Sequence, residues 1–215
     1  EWPAAAAHMT LIPPPPLMRV VPGANGDARA RGRALLRVRD DEVVVLYYGY
    51  MYPGKGIETL LEAVHIVAKS CTNFRLVVVG EVLGHAFSND DPQSSTTYKT
   101  QLQELVQRLG ISDRITWTGA CSPDGEEGSL FMWAADLCVL PFDSGIQLNN
   151  STFAAAASHG LPVLTTRGAH MEAPFEHGGN VWLCPPRDPN AMAAAMQFLI
   201  ETPGQRETLR TGARK

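Results

Sequence analysis

Apolar residues recur along this chain in two rhythms. The first is a short unbroken run. Glu42 to Gly49 (EVVVLYYG) is β-branched and aromatic and closes on glycine, which predicts a strand buried on both faces. Phe74 to Gly80 (FRLVVVG), Ile115 to Gly119 (ITWTG), Leu137 to Phe142 (LCVLPF), Pro162 to Thr166 (PVLTT) and Val181 to Cys184 repeat the pattern. The second rhythm is helical. Lys55 to Ser70 sets Ile57, Leu60, Leu61, Val64 and Val67 on one stripe. Ser94 to Leu109 does the same with Tyr98, Leu102, Leu105 and Leu109, and stops at Gly110. Helices are also expected over Gly125 to Ala135, Asn149 to His159, Pro189 to Ile200 and from Gly204 to the end.

Strands without alternation, each followed by a helix, predict an α/β domain: a doubly wound, Rossmann-like parallel sheet of about six strands, covered on both faces. Strand order is not readable from the pattern, but the place of a ligand is. Ligands of such sheets bind beyond the carboxyl ends of the strands, here the loops starting near Gly49, Gly80, Gly119, Phe142 and Thr166. Residues 1–18 read as a tag remnant (Glu1 to Met9) and a proline-rich linker with Pro13 to Pro16 consecutive. The folded domain is therefore expected over 19–215, with a further segment ahead of it in the whole protein.

An apolar share of 45% and a charged share of 19% are those of an ordinary globule. Lys plus Arg number 18 against 22 Asp plus Glu, a net charge of −4 with no dense basic run, which argues against sequence-independent nucleic-acid binding. No apolar stretch approaches the roughly 18 residues of a membrane span. Peripheral association of the whole protein with a membrane surface stays compatible with this. Cys71, Cys121, Cys138 and Cys184 include no C-x-x-C pair and are expected to be buried, reduced thiols of a cytoplasmic protein. His159 precedes Gly160 at a predicted helix end, where it would satisfy terminal carbonyls. His170 and His177 lack H-E-x-x-H spacing, so neither a metal nor a resident cofactor is expected.

Two loops carry candidate chemistry. Gly49-Tyr50-Met51-Tyr52-Pro53-Gly54-Lys55-Gly56 is glycine-rich and puts one ammonium at a helix start. It matches neither nucleotide fingerprint, yet free amides, a helix dipole and a lysine suit an anion; a solvated turn lysine is the plainer alternative. Asp143 to Ser151 (DSGIQLNNS) follows the fourth strand, with Gly145 permitting close backbone approach and Asn149, Asn150 or Ser151 able to cap the alanine-rich helix behind it. Glu81, after the second strand, could meet a sugar hydroxyl or simply water.

The ordered series Pro53-Gly54-Lys55-Gly56-Ile57-Glu58-Thr59-Leu60-Leu61-Glu62-Ala63, Arg114-Ile115-Thr116-Trp117-Thr118-Gly119, Ala135-Asp136-Leu137, His159-Gly160-Leu161-Pro162-Val163 and Pro185-Pro186-Arg187-Asp188-Pro189 resembles the C-terminal domain of GT-B-fold glycosyltransferases, above all the large retaining family four. The resemblance spans Arg19 to Lys215. It implies a domain that binds a nucleotide-diphosphate sugar for metal-independent retaining transfer, with an acceptor-binding N-terminal domain absent from this chain. On this reading Lys55 meets the donor diphosphate as the catalytic cation. Gly49, Tyr50, Gly54 and Glu81 surround the donor, main chain at Gly119 and Ala120 meets the base, and Gly145, Ile146, Gln147, Leu148 and Asn149 hold phosphate and sugar.

Three positions depart from the family pattern. Tyr50 stands where an arginine is common, and the family's two glutamates fall on Gln147 and Ala155. Gln147 can still hydrogen-bond a hydroxyl; Ala155 cannot. These losses keep open a glycosyltransferase-like binding or interaction module without turnover, and, further off, a different Rossmann-type sugar-nucleotide enzyme.

Overall fold

Six parallel strands form a single sheet in the order β3-β2-β1-β4-β5-β6. They are β1 (Val43–Tyr48), β2 (Phe74–Val79), β3 (Ile115–Gly119), β4 (Leu137–Leu140), β5 (Val163–Thr166) and β6 (Trp182–Cys184). The helices are α1 (Asp27–Leu36), α2 (Ile57–Ala68), α3 (Gln93–Leu109), α4 (Glu127–Ala134), α5 (Ser151–Ser158), α6 (Pro189–Glu201) and α7 (Pro203–Gly212). The structure, a computed structural model, describes residues 14–23, 26–83 and 93–213. The start of the expected linker, through Pro13, and the last two residues lie outside them.

Because successive side chains of a strand point to opposite faces, the sheet feeds two cores. Val45 and Tyr47 of β1 join Leu60, Leu61, Val64 and Val67 of α2, with α3 and α6 beside them. Val44 and Leu46 join Phe131 and Met132 of α4 and Ala155 and Ala156 of α5. The stripe read from Lys55 to Ser70 is thus the buried face of α2, and its five aliphatic residues are at most 1% exposed.

The pattern predicted nothing between Pro22 and Asp40, yet α1 forms there. Its sequence, DARARGRALL, has no apolar stripe. Ala28 and Leu36 are buried, Leu36 within the α4–α5 core, and polar contacts to the end of α4 add to them. The Arg29 guanidinium donates to the carbonyls of Trp133, Ala134 and Ala135 and pairs with Asp136 at 2.7 Å. Arg33, 6% exposed, donates to the Ala134 and Glu42 carbonyls. Gly32 allows the close crossing, since a Cβ there would lie 2.0 Å from the Leu130 oxygen.

The segment entering the domain is also anchored. Arg19 N–H donates to Pro123 O at 2.8 Å, Val21 N–H to Ser129 Oγ at 2.9 Å, and Trp133 Nε1–H to Val21 O at 2.9 Å. His159 closes α5 and is buried. Its Nδ1 lies 2.7 Å from Ala155 O and its Nε2 2.7 Å from Ser129 Oγ. Burial holds its pKa below the usual imidazole value, against the opposing bond to Ala155 O.

The expectation of four buried thiols needs correction. Cys138 and Cys184 are buried on strands, and burial pushes each thiol up to about 12. Cys71 and Cys121 are only half-buried. The first follows the end of α2 and the second lies in the loop leaving β3, each packed against the margin of a core.

Candidate functional site

The strand order places a topological switch between β1 and β4, and the loops leaving those two strands meet there. Gly56, the residue before α2, has φ +73°, and a Cβ on it would lie 1.8 Å from Pro141 O. One loop therefore lies directly on the other. Asp143 N–H donates to Gly54 O at 3.1 Å and ties them together. Gly49 faces the first turn of α5, where a Cβ would sit 3.3 Å from Thr152 Oγ1. Buried Tyr47 holds the β1 loop from below by donating to Tyr50 O at 3.0 Å.

Between the loops is a cavity of about 490 Å³, with Lys55 on one wall and Gly145, Gln147, Asn149 and Asn150 on the other. The Lys55 ammonium stands 4.8 Å from the Phe142 ring centroid and 5.0 Å from that of Tyr52, within cation–π range of both. Among the described residues it forms no ion pair. Its charge is thus positioned by two aromatic faces and left available. The amino end of α2 has no side-chain cap, so its first amides remain open next to Lys55.

The opposite wall is backbone. Gly145 has φ +84°, and a Cβ there would meet Gly168 N at 2.1 Å, which allows the loop to pack against the chain leaving β5. Ile146 N–H donates to Thr166 O at 3.0 Å. Asn150 caps α5, its side-chain oxygen accepting from Phe153 N–H at 3.0 Å, so the helix begins at Ser151, two residues later than the pattern suggested. Among the described residues the amides of Ser144, Gln147 and Asn149 have no acceptor.

The residues singled out from sequence divide into groups. Gly54, Lys55, Gly145, Gln147 and Asn149 share the cavity. Ile146 turns its side chain into the core and is fully buried. Leu148 donates its N–H to a Glu172 carboxylate oxygen and packs its side chain beside the α4–α5 core. Tyr50 is 55% exposed and does not line the cavity. Glu81 and Gly119 line a separate hollow of about 290 Å³ with Met51, Lys99 and Trp117, while Ala120 is exposed. Ala155, at 1% exposure, lies within the core, out of reach of any ligand hydroxyl.

Sequence reasoning missed Asp143 and Arg187 as lining residues. Arg187 Nε lies 3.0 Å from Asp143 Oδ2. The rule of strand ends was the available signal, because Arg187 follows β6 at the same edge of the sheet.

The fold and site together define a doubly wound α/β domain with a cavity at its switch point, where Lys55 meets two helix starts. The chain belongs to the glycosyl transferases group 1 family, which matches residues 42–202. D-inositol 3-phosphate glycosyltransferase of Streptomyces coelicolor is 29% identical over 183 residues, 85% of this chain and 38% of that protein. The chain therefore spans about two fifths of that curated relative. Among solved structures, Anabaena HepE in complex with UDP and glucose superposes with a TM-score of 0.73 at 21% identity, over 92% of this chain and 48% of that one. The C-terminal domain of the group 1 family protein LpcC from Francisella tularensis gives 0.69 at 17% identity, over 86% of this chain and 89% of that domain. Both likenesses bear on the fold, the Rossmann-like half of a GT-B architecture.

Proposed function

We propose that this chain is the donor-binding half of a retaining glycosyltransferase and that it holds a nucleoside-diphosphate sugar in the switch-point cavity. The observation that carries the reading is the convergence of Lys55 and the starts of α2 and α5 on one space of about 490 Å³. When a nucleoside diphosphate leaves a sugar, negative charge grows on its terminal phosphate. An ammonium and unpaired amides fixed in advance stabilise that charge without reorganisation. Gln147 offers an amide to a sugar hydroxyl. The UDP and glucose bound by HepE, on the same fold, support this class of donor.

Transfer itself belongs to the whole protein, in which a second domain brings an acceptor over the cavity and excludes water. The chain alone binds donor and does not turn it over. Calorimetric titration with UDP-, GDP- and ADP-sugars tests the reading. One nucleotide class is expected to bind, and Lys55→Ala is expected to weaken it by about 10- to 100-fold, the worth of a charge-assisted hydrogen bond. Binding of no nucleotide sugar, by this chain or by the whole protein, refutes it.

A further inference from the structure

We infer that Arg187 is a second cationic arm of the donor cavity, binding the diphosphate together with Lys55. The inference rests on the donor-site reading and adds a residue to it.

Three charged side chains line the cavity: Lys55, Asp143 and Arg187. Asp143 is the difficulty for any anion. Its side chain is 20% exposed, and its Oδ1 lies 3.3 Å from where a Gly56 Cβ would stand, at the foot of α2. Unopposed, this carboxylate cancels the charge of Lys55 and repels phosphate from the helix start. Arg187 reverses the balance. With its Nε on Asp143 Oδ2 at 3.0 Å, the cavity carries a net positive charge, and without it the net charge is zero. Only Nε is engaged among the described residues. The side chain is 73% exposed, so the terminal N–H groups remain open to an anion as a planar fork suited to phosphate oxygens.

The backbone points the same way. Arg187 has φ +55°, one of two non-glycine residues with positive φ among those described. That conformation costs an L-residue on the order of 1–2 kcal/mol and favours glycine. The turn between Pro186 and Asp188, the cap of α6, would form more readily with glycine. A strained backbone carrying an exposed guanidinium at the rim of a cavity serves the site better than the fold.

The test separates this role from a structural one. UDP, GDP and ADP are titrated by calorimetry into the wild-type chain, Lys55→Ala, Arg187→Gly and the double variant Asp143→Asn/Arg187→Gly, with thermal melts of each. For the diphosphate that binds wild type, Arg187→Gly should lose about tenfold in affinity without a fall in melting temperature. Adding Asp143→Asn should recover part of that loss. If wild type and Arg187→Gly bind alike while Lys55→Ala is weakened, the role of Arg187 is overturned and the donor site stands. If neither the wild-type chain nor the whole protein binds any of the three, both fall.

Discussion

Gly56 offers the sharpest test of the site's architecture, because one atom there decides whether the β1 and β4 loops can touch. Alanine at 56 meets two penalties. At φ +73° its Cβ adopts a left-handed conformation that costs roughly 1–2 kcal/mol. That Cβ would also lie 1.8 Å from Pro141 O, a backbone atom that moves only if the β4 loop moves. Overpacking of this kind costs about 1–3 kcal/mol. The smaller entropy of an unfolded alanine chain returns roughly 0.4–1 kcal/mol. The net loss is about 3 kcal/mol, or about 9 °C in melting temperature at some 2–4 °C per kcal/mol for a chain of this size. Gly54 supplies the control. It also has positive φ, at +95°, but a Cβ on it meets nothing within 4 Å. Gly54→Ala should therefore lose only about 1 kcal/mol and about 3 °C. Scanning calorimetry of the two variants beside wild type reads the difference. Equal melting temperatures would refute the loop contact, and with it the shape of the cavity.

Other expectations follow from groups away from the cavity. Arg33→Ala removes a buried guanidinium and leaves Asp136 and the Ala134 and Glu42 carbonyls short of a donor, so chemical denaturation should show a loss of about 3 kcal/mol or more. Burial depresses the folded-state pKa of His159, so the unfolded chain takes up the proton first. Stability should be full above the unfolded value of about 6.5 and fall as pH drops below it, a slope that His159→Gln flattens in melts between pH 7.5 and 5. In native alkylation followed by mass spectrometry, Cys71 should label ahead of Cys138 and Cys184, which should react only after denaturation.

Where burial does the work, the sequence pattern is informative. The runs at Val43–Tyr48 and Phe74–Val79 lie in the middle of a sheet covered on both faces, so nearly every residue is apolar and the strand is visible without its neighbours. The stripe of α2 is visible for the same reason. α1 is not, because beside the buried Ala28 and Leu36 its attachment lies in Arg29 and Arg33 reaching the carbonyls of another helix, and such pairing leaves no period in the sequence. Half of the candidate site was legible in the same sense. Lys55, Gly54 and Gly145 declare themselves as glycine and lysine at strand ends. Asp143 and Arg187 do not, because their meaning comes from a contact across 44 residues that only the fold creates.

The placement of the cavity has a physical cause that also explains its composition. At the switch point α2 and α5 leave neighbouring strands, β1 and β4, toward opposite faces of the sheet, which leaves a gap at their amino ends that no side chain of the core fills. Two positive helix ends facing one gap repel each other weakly and favour an anion between them. Asp143, set at this junction, offsets that field while the cavity is empty, at the expense of opposing any ligand of its own charge. Arg187, drawn across from the β6 end, resolves the conflict by neutralising the carboxylate. The glycines at 56 and 145 then follow from geometry, since two loops can close around an anion with their backbones only where a Cβ is missing from the surfaces that touch.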